Sequence, residues 1–201
     1  MITVVDYGAG NIKSVEHALS HLGYECMVTE DPERIKKSDK VILPGVGAFG
    51  SAMERLKSKG LDEALKEAAY SGKPFLGICL GLQLLFKDSE ESAGVEGLDI
   101  LPGTIRHFPT DIGLKIPQIG WNSLDYPSKG RLFEGVNEGE YVYFVHSYYL
   151  ESKDPDIVKA TCEYGVTVHA SVERDNVFAC QFHPEKSGSV GLKILENFCK
   201  I

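Results

Sequence analysis

The sequence predicts one α/β domain: a largely parallel central sheet flanked by helices, with a mixed or antiparallel β extension in the C-terminal half. Three observations predict it. Short apolar runs alternate with amphipathic stretches up to about residue 98. After that point Gly, Pro and aromatics increase and β-type runs follow one another. No repeat, low-complexity tract or linker interrupts the 201 residues, so residues 1–201 are read as a single domain.

The elements follow in order. ITVVDY (2–7) reads as a buried strand. Asn11 opens a helix with Ile12, Val15, Leu19 and Leu22 at helical spacing, and Gly23 stops it. YECMVTE (24–30) and KVILPG (40–45) are the second and third strands. Amphipathic helices are expected over 49–58 and 61–71, and KPFLGI (73–78) is a fourth strand. Strands alternating with helices imply βαβ units. ILPGTIRHF, IPQIGWNSL, EYVYFVHSYYL, DIVKATCEY, VTVHASVE and NVFACQF read as β runs that extend the same sheet. A helix over about Val190–Cys199 closes the chain.

Composition narrows the function classes. The chain is 43% hydrophobic and 25% charged, as in an ordinary globular protein. Its formal net charge of −8 argues against nucleic-acid binding, which needs basic patches. No apolar run approaches the roughly 20 residues of a membrane span. MITVVDYGAGN has no basic start and carries Asp6, so it does not read as a signal peptide. The five cysteines form no C-x-x-C pair; a reducing cytoplasm is expected, with neither disulfides nor a metal site.

Gly77-Ile78-Cys79-Leu80-Gly81 has the G-x-nucleophile-x-G spacing of a nucleophile elbow. Glycine at both flanks removes Cβ atoms that would clash in a sharp strand-to-helix turn. A thiolate there meets free N–H groups at a helix start, and the Leu80 N–H can face a developing oxyanion. The bland alternative is a buried core thiol.

A cysteine nucleophile needs a base, and the base an orienting group. His17 and His21, four apart on the first helix, read as a solvated face. His107 and His169 have nothing around them to single them out, and His146 lies in an aromatic run. His183 follows an apolar strand, with Glu185 two residues on. In extended chain those two side chains share one side, so the carboxylate can orient the imidazole. Pro184 favours an extended His183.

Gly45-Val46-Gly47-Ala48-Phe49-Gly50 matches the G-x-G-x-x-G dinucleotide fingerprint. It is not in the first βαβ unit, and no strand-end acidic residue follows about 20 positions on. Its backbone N–H groups are better read as lining an oxyanion pocket opposite the elbow.

Together these pieces resemble the class I glutamine amidotransferases. YGAGNIKSV, LPGVGAFG, GICLGLQLLF, IGWN, YFVHSYY and QFHPEKS, in order along almost the whole chain, resemble the glutaminase subunits of imidazole glycerol phosphate synthase. The resemblance implies a flavodoxin-like fold and a Cys79–His183–Glu185 triad that hydrolyses L-glutamine through a thioester. It implies an oxyanion hole from Val46, Gly47 and Leu80, and glutamine held by Gly45, Gln83, Ser147 and Tyr148. No cofactor is implied. The implied partner is a (β/α)8 cyclase subunit that receives the ammonia in a heterodimer. Asn11, Gln118, Trp121, Asn122, Tyr143 and Lys186 are the expected contact residues. One departure stands out: where that family has histidine after the proline, this chain has Pro117-Gln118. If Gln118 touches the partner, a different synthase, such as one forming an amidino sugar, remains open. So do a stand-alone γ-glutamyl or peptide amide hydrolase and a non-catalytic binding subunit.

Overall fold

A computed structural model describes all residues, 1–201. Strands and helices alternate first: β1 Ile2–Val5, α1 Ile12–His21, β2 Cys26–Thr29, α2 Pro32–Lys36, β3 Lys40–Gly45, α3 Phe49–Ser58, α4 Leu61–Tyr70, β4 Phe75–Cys79 and α5 Leu80–Gln83. Strands then dominate: β5 Asp88–Ser89, β6 Gly103–His107, β7 Gln118–Ser123, β8 Tyr141–His146, β9 Tyr148–Ser152, β10 Val158–Glu163, β11 Thr167–Arg174 and β12 Val177–Cys180, before α6 Gly188–Lys200.

The main sheet has seven strands in the order β10-β11-β12-β4-β3-β1-β2. The run β12-β4-β3-β1-β2 is parallel, and β10 and β11 are antiparallel. β1 and β4 are buried at every position, as expected of parallel strands covered on both faces. Alternation along β3 sorts two cores. Val41 and Leu43 pack with α2, α3 and α4; Ile42 packs with α1 and α6. No helix is long and apolar enough to cross a membrane.

One expectation is corrected and one element is added. Only β10, β11 and β12 extend the main sheet; β5-β6-β9 form a separate three-stranded sheet and β7-β8 a two-stranded ribbon. The run YVYFVHSYYL therefore breaks at Ser147, because β8 and β9 pair with different partners. The added element is α2, a helix that five residues are too few to reveal by period. Its signal is local: Asp31 accepts the Glu33 N–H at 2.9 Å, and Pro32 opens the first turn.

The junction of β4 and α5 leaves no room for side chains at its glycines. A Cβ on Gly81 would overlap the Leu43 carbonyl oxygen of β3, and one on Gly77 would stand 2.7 Å from the Gly81 carbonyl. Neither neighbour is a side chain that can swing away. Gly81→Ala should therefore destabilise the fold by about 3 kcal/mol or more, read from urea denaturation. A midpoint matching that of wild type would mean that the elbow yields freely.

Candidate active site

Three adjacent parallel strands end at one edge of the sheet. β3 ends at Gly45, paired in register with Cys79 at the end of β4. β12 pairs with β4 on the other side, Cys180 opposite Ile78, and the chain runs on to Gln181 and His183. Loop 45–47, the cysteine turn and the histidine are thereby neighbours.

Cys79 has φ 55° and ψ −109°, a left-handed backbone that a non-glycine residue adopts only under strain. Its side chain is buried, with Sγ 4.0 Å from the Val145 carbonyl oxygen and 3.7 Å from Gln181 Nε2. Leu80 opens α5, so its N–H has no intrahelical acceptor. Val46 and Gly47, one loop away, spend their N–H groups on no backbone acceptor.

His183 donates from Nδ1 to Glu185 Oε1 at 2.7 Å, and both side chains are buried. Asn11 Nδ2 donates to the same oxygen at 3.2 Å. The contact does not arise in extended chain, as expected above. His183 itself is extended, but Pro184–Lys186 form a 3-10 turn that brings Glu185 back to the ring. Nε2 makes no hydrogen bond within the chain. Burial pulls the imidazole pKa down, but Cys79 and Glu185 outweigh it and push the value up to about 10. The thiol is near enough to act on the ring although no hydrogen bond closes between Sγ and Nε2. Such contacts tighten when substrate binds.

Cys79 and His183 line a cavity of ≈ 420 Å³, within the usual range for small-molecule sites. Val46, Gly47, Leu80, Gln83, Ser147, Tyr148 and Lys186 also line it. Gly45 does not: it is buried, and a Cβ there would meet the Tyr7 hydroxyl at 2.5 Å and Leu80 Cβ at 2.8 Å. Its missing side chain lets β3 pass under the elbow.

The expected contact residues divide. Trp121 is 55% exposed and packs edge-on against half-buried Tyr143, while Lys186 is exposed at the cavity. Half-buried Asn122 donates to the Glu163 carbonyl at 2.9 Å. Asn11 is turned to Glu185. Gln118 is a correction: at 2% exposure it cannot be a contact surface. Its amide lies 2.9 Å from His146 Nε2, while His146 Nδ1 donates to the Tyr148 carbonyl at 2.8 Å. Burial, with the nearby His183, pulls His146 down to about 4 against the opposing Tyr148 bond, so this ring is neutral.

Sequence reasoning missed three residues. Glu91 lines the cavity, yet it lies in DSEESAG, which reads as a solvated loop. His146 lines it too, and Gln181, inside the quoted QFHPEKS block, lies against the sulfur. Glu91 also settles the glycine-loop question. Its Oε2 accepts the Phe49 N–H at 2.7 Å, and Ser92 Oγ accepts the Gly50 N–H at 3.0 Å. The α3 N-terminus is thus capped by protein, not open to a dinucleotide phosphate. Of the other cysteines, Cys162, Cys180 and Cys199 are buried, with thiols pushed up by burial; Cys26 is half-buried.

An elbow cysteine beside a carboxylate-held histidine, on this α/β sheet, is an arrangement for acyl transfer to sulfur. A family model, glutamine amidotransferase class-I, matches residues 3–201, and the chain belongs to that family. Two relatives bear the name imidazole glycerol phosphate synthase subunit HisH. The one from Syntrophotalea carbinolica is 50% identical, with 98% of each chain covered. The one from Moorella thermoacetica is 51% identical, covering 98% of this chain and 93% of that one. Solved structures agree in fold. A glutamine amidotransferase superposes with TM-score 0.78 at 18% identity, covering 100% of this chain and 98% of the other. PurLQS from Thermotoga maritima gives TM-score 0.78 at 21% identity, covering 99% and 97%.

The raised His183 value has a sign that can be checked. It stabilises the fold fully below the unfolded value of roughly 6.5, and that contribution is lost as pH climbs through about 10. Glu185→Gln removes one cause, so the imidazole should titrate lower by NMR. An unmoved titration would mean that the carboxylate does not hold the proton.

Proposed function

We propose that this chain is the glutaminase subunit of an imidazole glycerol phosphate synthase. It hydrolyses glutamine to glutamate and ammonia. The ammonia passes to a (β/α)8 cyclase subunit, which forms imidazole glycerol phosphate and an aminoimidazole carboxamide ribotide in histidine biosynthesis. The observation that carries this is the near-full-length identity of about half to synthase subunits. The cavity lined by Cys79, His183 and loop 46–47 supports the chemistry.

In this reading the Cys79 proton resides on His183 Nε2, in keeping with the raised imidazole, and Sγ attacks the glutamine carboxamide carbon as thiolate. The carbonyl oxygen becomes an oxyanion facing the N–H groups of Val46, Gly47 and Leu80. As the carbon–nitrogen bond breaks, the imidazolium returns its proton and ammonia leaves. Water, deprotonated by His183, then cleaves the thioester and releases glutamate. Glu185 and Asn11 hold the ring. Glu91 is the one carboxylate lining the cavity, placed to meet the α-ammonium. Gln83 donates from Nε2 to the Tyr148 carbonyl and to Gln181, so it offers substrate its oxygen. Ser147 and Tyr148 hold the rest.

The partner face in this reading includes Trp121, Tyr143, Asn122 and Lys186. Ile119, 62% exposed on the same ribbon, adds apolar surface. The Gln118 departure lies inside the protein, so it gives no reason to expect a different synthase.

Glutamate release should be low for the purified chain, and high with the same organism's cyclase loaded with its ribonucleotide. Activity indifferent to the cyclase would refute the pathway while leaving the chemistry. An electrophilic glutamine analogue should label Cys79 alone on peptide mass mapping. Cys79→Ala and His183→Ala should each lower turnover at least a thousandfold, an order of magnitude set by nucleophile and base acting as a unit. Cys180→Ala should cost little turnover; an equal loss there would point to misfolding.

A further inference from the structure

Gln181 is fully buried beside the sulfur, and nothing in the chemistry above uses it. Its orientation is decided by a chain of contacts that starts at a main-chain carbonyl. The Tyr148 carbonyl oxygen can only accept. Gln83 Nε2 lies 3.1 Å from it, so the Gln83 amide must present N–H there. The same Nε2 is 3.2 Å from Gln181 Oε1. Gln181 therefore has its oxygen toward Gln83 and its Nε2 toward Cys79 Sγ, at 3.7 Å. Flipping Gln83 would set oxygen against oxygen at Tyr148. Flipping Gln181 would set its nitrogen against the Gln83 N–H.

We propose that Gln181 is a positioning residue for Cys79: a polarity relay from the Tyr148 carbonyl through Gln83 and Gln181 holds an N–H donor on the sulfur and favours thiolate over thiol. A thiol is a weak acceptor, but a thiolate receives a charge-assisted hydrogen bond, which is the stronger kind. The donor acts on the ionised form from a buried site where water does not compete. The proposal rests on the reading of Cys79 as nucleophile. It adds a group that touches neither substrate nor His183 and that acts through the sulfur.

The test is the rate of Cys79 alkylation by iodoacetamide against pH, located by peptide mass mapping, in the wild-type chain and in Gln181→Met. The methionine has similar length and no donor. The pH of half-maximal rate should rise by about one unit, slowing alkylation below that midpoint about tenfold. Gln181→Asn, which keeps an amide but draws it back one methylene, should shift the same way; it carries the test if the methionine variant does not fold. Gln83→Met, which frees the Gln181 amide to turn over, should give a smaller rise. A midpoint unmoved in a variant with wild-type circular dichroism overturns the proposal, even where glutamine turnover falls, because packing would then explain the loss. Alkylation needs neither glutamine nor a partner. A failed functional reading would therefore appear separately, as absent glutamate release with the midpoint shift intact.

Discussion

The parallel pairing of β12 with β4 is the constraint on which the site depends. It brings Cys180 opposite Ile78 across 102 positions of chain. Everything that follows β12 is then delivered to the end of β4. Cys180 and Phe182 join the core on one face, while Gln181 and His183 turn toward the cysteine. A slip of one residue would exchange these two sets, putting an imidazole in the core and a second thiol near the site. The burial of Phe182 against Phe144 and Phe133 opposes that slip. Hydrophobic packing on one face thus sets the chemistry on the other.

Buried polar groups around the site are matched almost atom for atom. His146 and Gln83 both donate to the Tyr148 carbonyl. Gln118 meets His146, and Glu185 Oε1 takes two donors. The atoms left without partners are His183 Nε2, Glu185 Oε2 and the Tyr7 hydroxyl. Unpaired buried atoms are costly in a packed interior. Here one of them, Nε2, lies on a ring that lines the cavity. Burial raises the Tyr7 phenol pKa, so that ring stays neutral beneath Gly45.

Much of this was legible in the residues. β3 and α3 begin and end where apolar runs and helical spacing place them, and the flanking glycines of the elbow are required by the contacts they avoid. The strands after residue 98 were visible as runs, but their partners were not, because a β run does not say which sheet it joins. That is why Ser147 reads as mid-strand in sequence and is a boundary in the fold. Gln118 looked like surface beside GWN, yet it is turned inward by the pairing of β7 with β8. Glu91 was hidden by its acidic company. It is one of several carboxylates in a polar loop, distinguished only in the fold, by the helix start it caps and the cavity it lines. His183 and Glu185 were paired correctly for the wrong backbone reason. Their spacing permits the contact in either geometry.

The separate ribbon of β7 and β8 has a consequence for how the cavity is walled. Val145 and His146 of this ribbon, with Pro117 just before it, form one wall, while Cys79 at the end of β4 and Leu80 and Gln83 of α5 form the other. Two-stranded pieces hold together weakly unless they pack on something larger, and this one is anchored: Val142 and Phe144 are fully buried in the core, and the Tyr143 carbonyl accepts the His183 N–H at 2.9 Å. The ribbon is therefore fastened to the segment that carries the imidazole. Moving that wall outward would pull on His183, which links access to the cavity with the position of its base.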